Sequence, residues 1–181
     1  MKCSYKVIDN FLDKEYFDSL VNLFIGDTES EEAAVSWFFN TAVTHTKEHK
    51  KYQTKKDKLF YLVHLMYQNN IPTSVHYDKM LPLLEKLRVG CLIRMKANLY
   101  PNTEILHENK MHSDFEFPHS GAILYLNTCD GYTKLHDGKK IDSVANRVLL
   151  FNSSEKHCST TTTDTLARIN ININFIDVEG R

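Results

Sequence analysis

Proline and glycine are scarce, 4 and 6 residues in a chain of 181, which excludes a collagen-like or low-complexity polymer. Long apolar runs are missing too. The stretch around Val148 to Phe151 is far too short to span a bilayer, so no membrane partner is expected. The first residues, MKCSYKVIDNFLDKEYF, carry charge too densely for a secretory signal. The four cysteines (Cys3, Cys91, Cys129, Cys158) form no CxxC pair. A cysteine-built zinc site is therefore disfavoured, and free thiols in a reducing, cytoplasmic setting are expected. Neither sign of charge is in excess, with 22 Lys plus Arg against 23 Asp plus Glu and a formal net charge of -1. Such a chain lacks the overall basic field that nucleic-acid binding usually needs.

What is present is the balance of a globular protein, 42% hydrophobic and 25% charged, and one domain over residues 1–181 is expected. Residues 1–90 read mainly as helical support. After a strand-like Tyr5 to Ile8, Asp13 offers an N-cap, and Tyr16, Phe17, Leu20, Val21 and Phe24 recur on one helical face. An acidic loop (Asp27, Glu29, Glu31, Glu32) precedes an aromatic strand-like run, Val35 to Phe39. Leu59, Phe60, Leu62, Val63, Met66 and Tyr67 predict a second amphipathic helix, and a third runs from Asp78 to Leu87 with Pro82 in its first turn.

Residues 91–181 change period. Leu92 to Tyr100, Ser120 to Asn127, Gly131 to Leu135, Arg147 to Phe151 and Leu166 to Ile176 are short, rich in β-branched and aromatic residues, and bounded by Gly, Asn, Asp or Pro. Helices first and many short strands after predict an α+β fold, a helical layer packed on a β-sandwich or barrel.

The chemistry concentrates in this second part. His112 and Asp114 lie two residues apart, so an extended backbone presents an imidazole and a carboxylate on one face. His157 follows downstream. Two histidines and one carboxylate occupy one face of an octahedron and leave three positions open, an arrangement suited to non-haem Fe(II). In Ala167 to Phe175, strict alternation puts Ile169, Ile171, Ile173 and Phe175 on one face of a strand. Arg168, Asn170, Asn172 and Asn174 share the other, the wall of a polar cavity. An arginine there is suited to gripping a carboxylate through a bidentate, charge-assisted pair.

His45-Thr46-Lys47-Glu48-His49 matches the H-x-x-E-H pattern of some zinc proteases, but lysines flank it and it has no apolar face. A solvated loop or lid over 45–58 is the better reading. Cys158 reads as buried filler, and His119 is the best rim candidate among His107, His119 and His136.

His112-x-Asp114, then Ala122 to Asn127, Gly131-Tyr132-Thr133, Leu149-Leu150-Phe151, His157 and Arg168 follow in an order and spacing that resembles the prolyl 4-hydroxylase-like branch of the 2-oxoglutarate/Fe(II) oxygenases, in its short microbial or viral form. The resemblance runs from about Arg94 to the end. It implies a double-stranded β-helix (jelly-roll, cupin-like) core with the N-terminal helices packed on one sheet. It implies that His112, Asp114 and His157 bind Fe(II), and that 2-oxoglutarate chelates the metal through its keto-acid end. Arg168 would pair with the distal carboxylate, with Tyr125, Tyr100 and Asn170 as further co-substrate contacts and ascorbate as a reductant. Dioxygen is the second co-substrate.

There are departures from the pattern. Asn170 stands where many relatives have Ser or Thr, and Cys129-Asp130-Gly131 replaces a Gly-Gly pair, which is expected to alter only the turn. Asp114 is kept, so hydroxylation is expected over chlorination. The expected target is a prolyl or other residue of a peptide or protein, with Trp37, Phe38 and Phe39 as candidate groove aromatics. The alternatives are a small-metabolite hydroxylase and a non-catalytic jelly-roll binding or sensor protein. Base demethylation is disfavoured, because Asn174 stands where that branch carries a further arginine.

Overall fold

The structure is a computed structural model that describes residues 5–26, 35–41 and 59–178. The acidic loop from Asp27 to Glu32 and the lysine-rich segment 45–58, with its H-x-x-E-H pattern, lie outside these residues. In order come β1 (Tyr5–Ile8), α1 (Lys14–Ile25), β2 (Phe38–Asn40), β3 (Tyr61–Gln68) and β4 (Ile71–Pro72). A 3-10 turn, Tyr77–Met80, leads into α2 (Leu81–Lys86). Then follow β5 (Val89–Pro101), β6 (Ser120–Tyr125), β7 (Tyr132–Leu135), β8 (Lys140–Asp142), β9 (Val148–Asn152), β10 (His157–Ser159) and β11 (Ala167–Asp177).

α1 starts where the sequence places it. The Asp13 carboxylate accepts from the Tyr16 N–H at 2.9 Å, and Gly26, at φ +95°, ends the helix. Its face of Phe17, Leu20, Leu23 and Phe24 is buried. The larger sheet runs β1-β9-β6-β11-β5-β3-β2, with β4 hairpinned onto β3; the smaller runs β10-β7-β8. All the strand pairs are antiparallel.

β11 is central, and its alternation divides the molecule. Ile169, Ile171, Ile173 and Phe175 join one core with Phe17, Leu20 and Phe24 of α1 and Leu83 and Leu84 of α2. Each such buried side chain contributes roughly 2 kcal/mol relative to exposure. A second core, Ile123, Tyr125, Leu135, Ile141, Leu149 and Phe151, takes residues from both sheets and holds them face to face. The result is a double-stranded β-helix with helices on one sheet, an α+β architecture as expected. No helix among the described residues is long and apolar enough to cross a membrane.

The N-terminal part is less helical than its sequence suggests. The helix expected over Leu59 to Tyr67 is β3, an eight-residue strand. Tyr61, His64 and Met66 are buried while Leu62, Val63 and Leu65 are half-buried, so apolar residues fall on both faces and imitate helical spacing. Asn69 and Asn70, at φ +54° and +63°, turn this strand into β4, the two-residue geometry that favours hairpins. The run from Val35 enters a strand only at Phe38, and the helix expected from Asp78 to Leu87 begins as the 3-10 turn.

Candidate metal centre and anion pocket

β5 and β11 are paired so that Arg168 faces Tyr100, Asn170 faces Asn98, Asn172 faces Lys96 and Asn174 faces Arg94. Directly opposed residues share a face of the sheet, so these polar side chains form one wall between the two sheets. Lys96, Asn98, Tyr100, Asn170 and Asn172 line a cavity there together with His112, Asp114, Ile123, Thr133, His157 and Ser159.

One end of the wall holds an imidazole–imidazole–carboxylate cluster. His112 and His157 exchange both backbone hydrogen bonds at 2.9 Å, which fixes the two rings side by side with centroids 4.8 Å apart. Each Nδ1 faces a backbone carbonyl, that of Lys110 at 3.2 Å for His112 and that of Glu155 at 3.0 Å for His157. An Nδ1–H donated there leaves the Nε2 lone pairs free, and these point to Asp114 at 4.0 and 3.8 Å. The three donor atoms lie within 4.8 Å of one another.

Protonation states fit a metal site. Burial pulls both imidazoles below their ordinary value, so they are neutral ligands at neutral pH. Burial alone would raise the Asp114 carboxyl. The Arg94 guanidinium and the other cationic groups outweigh it and hold the carboxyl well below the usual carboxylate range. Arg94 Nη2 donates to Asp114 Oδ1 at 2.7 Å. Oδ2 accepts from Ser153 Oγ at 2.7 Å, Asn174 Nδ2 at 2.9 Å and Asn172 Nδ2 at 3.4 Å. The donors are deprotonated, held by outer partners and of the types that octahedral Fe(II) takes.

The other end of the wall holds a buried cation. Arg168 is 0% exposed, and its guanidinium lies between the rings of Tyr100 and Tyr125, at 5.5 and 5.4 Å from their centroids. Its hydrogen-bond partners are neutral, Thr133 Oγ1 at 3.0 Å and the Thr160 carbonyl at 3.5 Å, and its Nε has none. A buried charge without a counter-ion is costly, so an anion is the ligand this end is built to receive. Nearby, Asn98 Nδ2 donates to Asn170 Oδ1 at 3.1 Å, while the buried Asn98 Oδ1 is unpartnered. The Tyr125 phenol donates to Thr133 Oγ1 at 2.8 Å, and burial raises the Tyr100 and Tyr125 phenols, keeping both protonated.

With a buried guanidinium and a His–Asp–His group that could hold a metal on one wall of a jelly roll, the comparisons converge. The structure is similar to an oxidoreductase of the 2OG-Fe(II) oxygenase family from Burkholderia pseudomallei, at TM-score 0.64 and 12% identity over 94% of this chain and 84% of that one. It is similar to a Pseudomonas putida prolyl-4-hydroxylase, at 0.58 and 17% over 96% and 93%. A non-haem alpha-ketoglutarate-dependent epimerase of nogalamycin biosynthesis gives 0.58 and 15% over 97% and 78%. The fold is that of the 2-oxoglutarate/Fe(II) oxygenases. No protein-family model and no curated protein matches the sequence.

On this oxygenase fold, the structure brings together all seven residues singled out from the sequence, His112, Asp114 and His157 at one end and Arg168, Tyr125, Tyr100 and Asn170 at the other. It adds residues to which the sequence reading gave no role, Arg94, Lys96, Asn98, Thr133 and Ser153, and it gives Asn172 and Asn174, already read as cavity-facing, the Asp114 carboxylate as their partner. The signal for the β5 members was available, because Arg94, Lys96, Asn98 and Tyr100 alternate in a segment already read as a strand. His119 is not at the rim. It is 4% exposed, accepts or donates at Nδ1 with the Phe117 carbonyl at 2.8 Å, and has Nε2 3.4 Å from Asn174 Nδ2. Cys158 is buried at 1% exposure, with its thiol pushed up by burial.

Proposed function

We propose that this protein is an Fe(II)- and 2-oxoglutarate-dependent dioxygenase that hydroxylates an unactivated C–H bond. The observation that carries the reading is the buried Arg168 guanidinium, unpaired by any carboxylate among the described residues, on the same wall as the His112–Asp114–His157 cluster. His112, Asp114 and His157 would hold Fe(II), which when bound would supply the redox chemistry that couples oxidative decarboxylation of 2-oxoglutarate by dioxygen to hydroxylation of substrate, one oxygen atom going to succinate and the other to the substrate, with ascorbate as a reductant. The chain's own residues bind and orient. Arg168 takes the distal carboxylate of 2-oxoglutarate; the Thr133 hydroxyl and the flanking rings of Tyr100 and Tyr125 hold the guanidinium, and the Asn170 amide is available beside it. Arg94, Ser153 and Asn174 hold the Asp114 carboxylate in one orientation, and the apolar Ile123 helps to keep bulk water out.

For the substrate we infer a residue of a peptide, prolyl first. The likeness to a prolyl-4-hydroxylase supports it, as does a row of paired residues leading out of the cavity. Asn98 faces Val63 of β3, Val63 faces Phe38 of β2, and Phe38 is 60% exposed at the sheet edge, with Phe39 63% exposed beside it. A small-molecule substrate is the second reading, favoured by the likeness to the epimerase. The test is aerobic incubation with Fe(II), 2-oxoglutarate, ascorbate and proline-containing peptides. Succinate formation with a peptide mass gain of one oxygen is expected. Turnover stimulated by small metabolites but by no peptide would favour the second reading. Succinate no higher than with His157→Ala would contradict catalysis and leave a non-catalytic binding protein.

A further inference from the structure

The cavity wall carries three cations, Arg94, Lys96 and Arg168, and the cavity's lining residues include one carboxylate, Asp114. Arg94 is committed to Asp114 at 2.7 Å. On the functional reading above, Arg168 is committed to the distal carboxylate of 2-oxoglutarate, and the keto-acid carboxylate is matched by the metal. Lys96 is left over. Among the described residues its ammonium forms no hydrogen bond or ion pair; the Asp114 carboxylate, committed to Arg94, attracts it only through space, and its one ring contact is the face of Tyr61, 5.8 Å from the centroid. A contact at that distance holds a cation weakly.

Its place is not that of a surface lysine. Lys96 is half-buried, sits opposite Asn172 on β11 and opposite Leu65 on β3, and lines the cavity with His112, Asp114 and His157. Asn172 Nδ2 lies 3.4 Å from Asp114 Oδ2, so the Lys96 row is the metal row of the wall. A metal dication adds positive charge to this end. A partly desolvated ammonium beside a dication is costly unless an anion shares the space.

We propose that Lys96 is a carboxylate anchor at the metal end of the cavity, and that the carboxylate it takes is carried by the substrate. The substrate then has an acidic group, a side-chain or free carboxylate, close to the C–H bond that is hydroxylated. The inference rests on the functional reading, and the same ligand chemistry has a second source, the keto-acid carboxylate of the co-substrate itself.

The experiment uses Mn(II)-loaded protein and two probes, N-oxalylglycine in place of 2-oxoglutarate and acetate as the bare carboxylate. Paramagnetic broadening of the acetate methyl resonance reads a carboxylate near the metal. With N-oxalylglycine bound, wild type and Lys96→Arg are expected to show saturable broadening, and in Lys96→Met and Lys96→Gln acetate affinity is expected to fall about tenfold. If the Lys96 variants instead lose about tenfold in N-oxalylglycine affinity, the anchored carboxylate is the co-substrate's. Equal behaviour of wild type and both neutral variants toward both probes would overturn the proposal. Failure of N-oxalylglycine to bind wild type would contradict the functional reading instead; the acetate titration of the Mn(II) protein alone still reads Lys96.

Discussion

A β-carbon at position 131 would lie 2.5 Å from Arg168 Cδ and 2.6 Å from the Thr161 carbonyl oxygen. The Arg168 stem therefore passes directly against the Gly131 backbone, and the residue is glycine because of that approach rather than because of its backbone angles. Gly131→Ala must displace the guanidinium from between Tyr100 and Tyr125. Affinity for N-oxalylglycine is expected to fall about tenfold or more while Mn(II) binding is unchanged, both read by calorimetric titration. Unchanged affinity would show that Arg168 does not hold the co-substrate.

Arg94→Met leaves the buried Asp114 carboxylate without its cation. The metal-free protein is expected to lose about 3 kcal/mol of stability by urea denaturation. Mn(II) should restore part of that loss, so the stabilisation by metal is larger in the variant than in wild type. A variant as stable as wild type without metal would mean that the 2.7 Å pair is not what holds Asp114.

Thr133 Oγ1 is shared by the Tyr125 phenol and Arg168 Nη2. Thr133→Val keeps the shape and removes the acceptor, stranding two buried donors at a cost of about 1–3 kcal/mol. Thermal denaturation with and without 2-oxoglutarate checks it: the loss should be smaller with the dianion bound. Equal loss in both states would argue that no anion reaches this end.

On the outer face of β7, Glu108 accepts from Lys134 Nζ at 2.8 Å and from the Tyr132 phenol at 2.5 Å. The Lys134 bond first, then the Tyr132 bond, lowers its carboxyl from 4.5 to about 2. Because the folded value is the lower one, the stabilisation is present above pH 4.5 and fades as pH falls toward about 2. The melting temperatures of wild type and Glu108→Gln should therefore differ at pH 6 to 7 and converge over that acid window, a difference that also shrinks in salt. A gap that persists undiminished at the acid end would assign the effect to packing.

How much of this was legible in the sequence depends on whether neighbours in the chain are neighbours in space. β11 was readable because strict alternation in Arg168 to Phe175 reports both its faces, the helix-side isoleucines and the cavity-side arginine and asparagines. α1 was readable because Asp13 and one apolar stripe define it. β3 was not, since burial on both faces destroys alternation, and only the Asn69-Asn70 turn betrayed the hairpin. Arg94 and Ser153 were not assigned because their role exists only once β5, β9 and the loop carrying Asp114 meet. Likewise, the Cys129-Asp130-Gly131 turn read as a local matter of turn chemistry. Its real constraint is the Arg168 side chain arriving from β11.

The most direct test of the central claim is anaerobic titration of the Fe(II)-loaded protein with 2-oxoglutarate, following the weak visible charge-transfer band of the chelate. The account predicts a saturable band in wild type, its loss in His157→Ala, and its appearance only at much higher co-substrate in Arg168→Ala. No band in folded, iron-loaded wild type, or a band indifferent to Arg168, would contradict it.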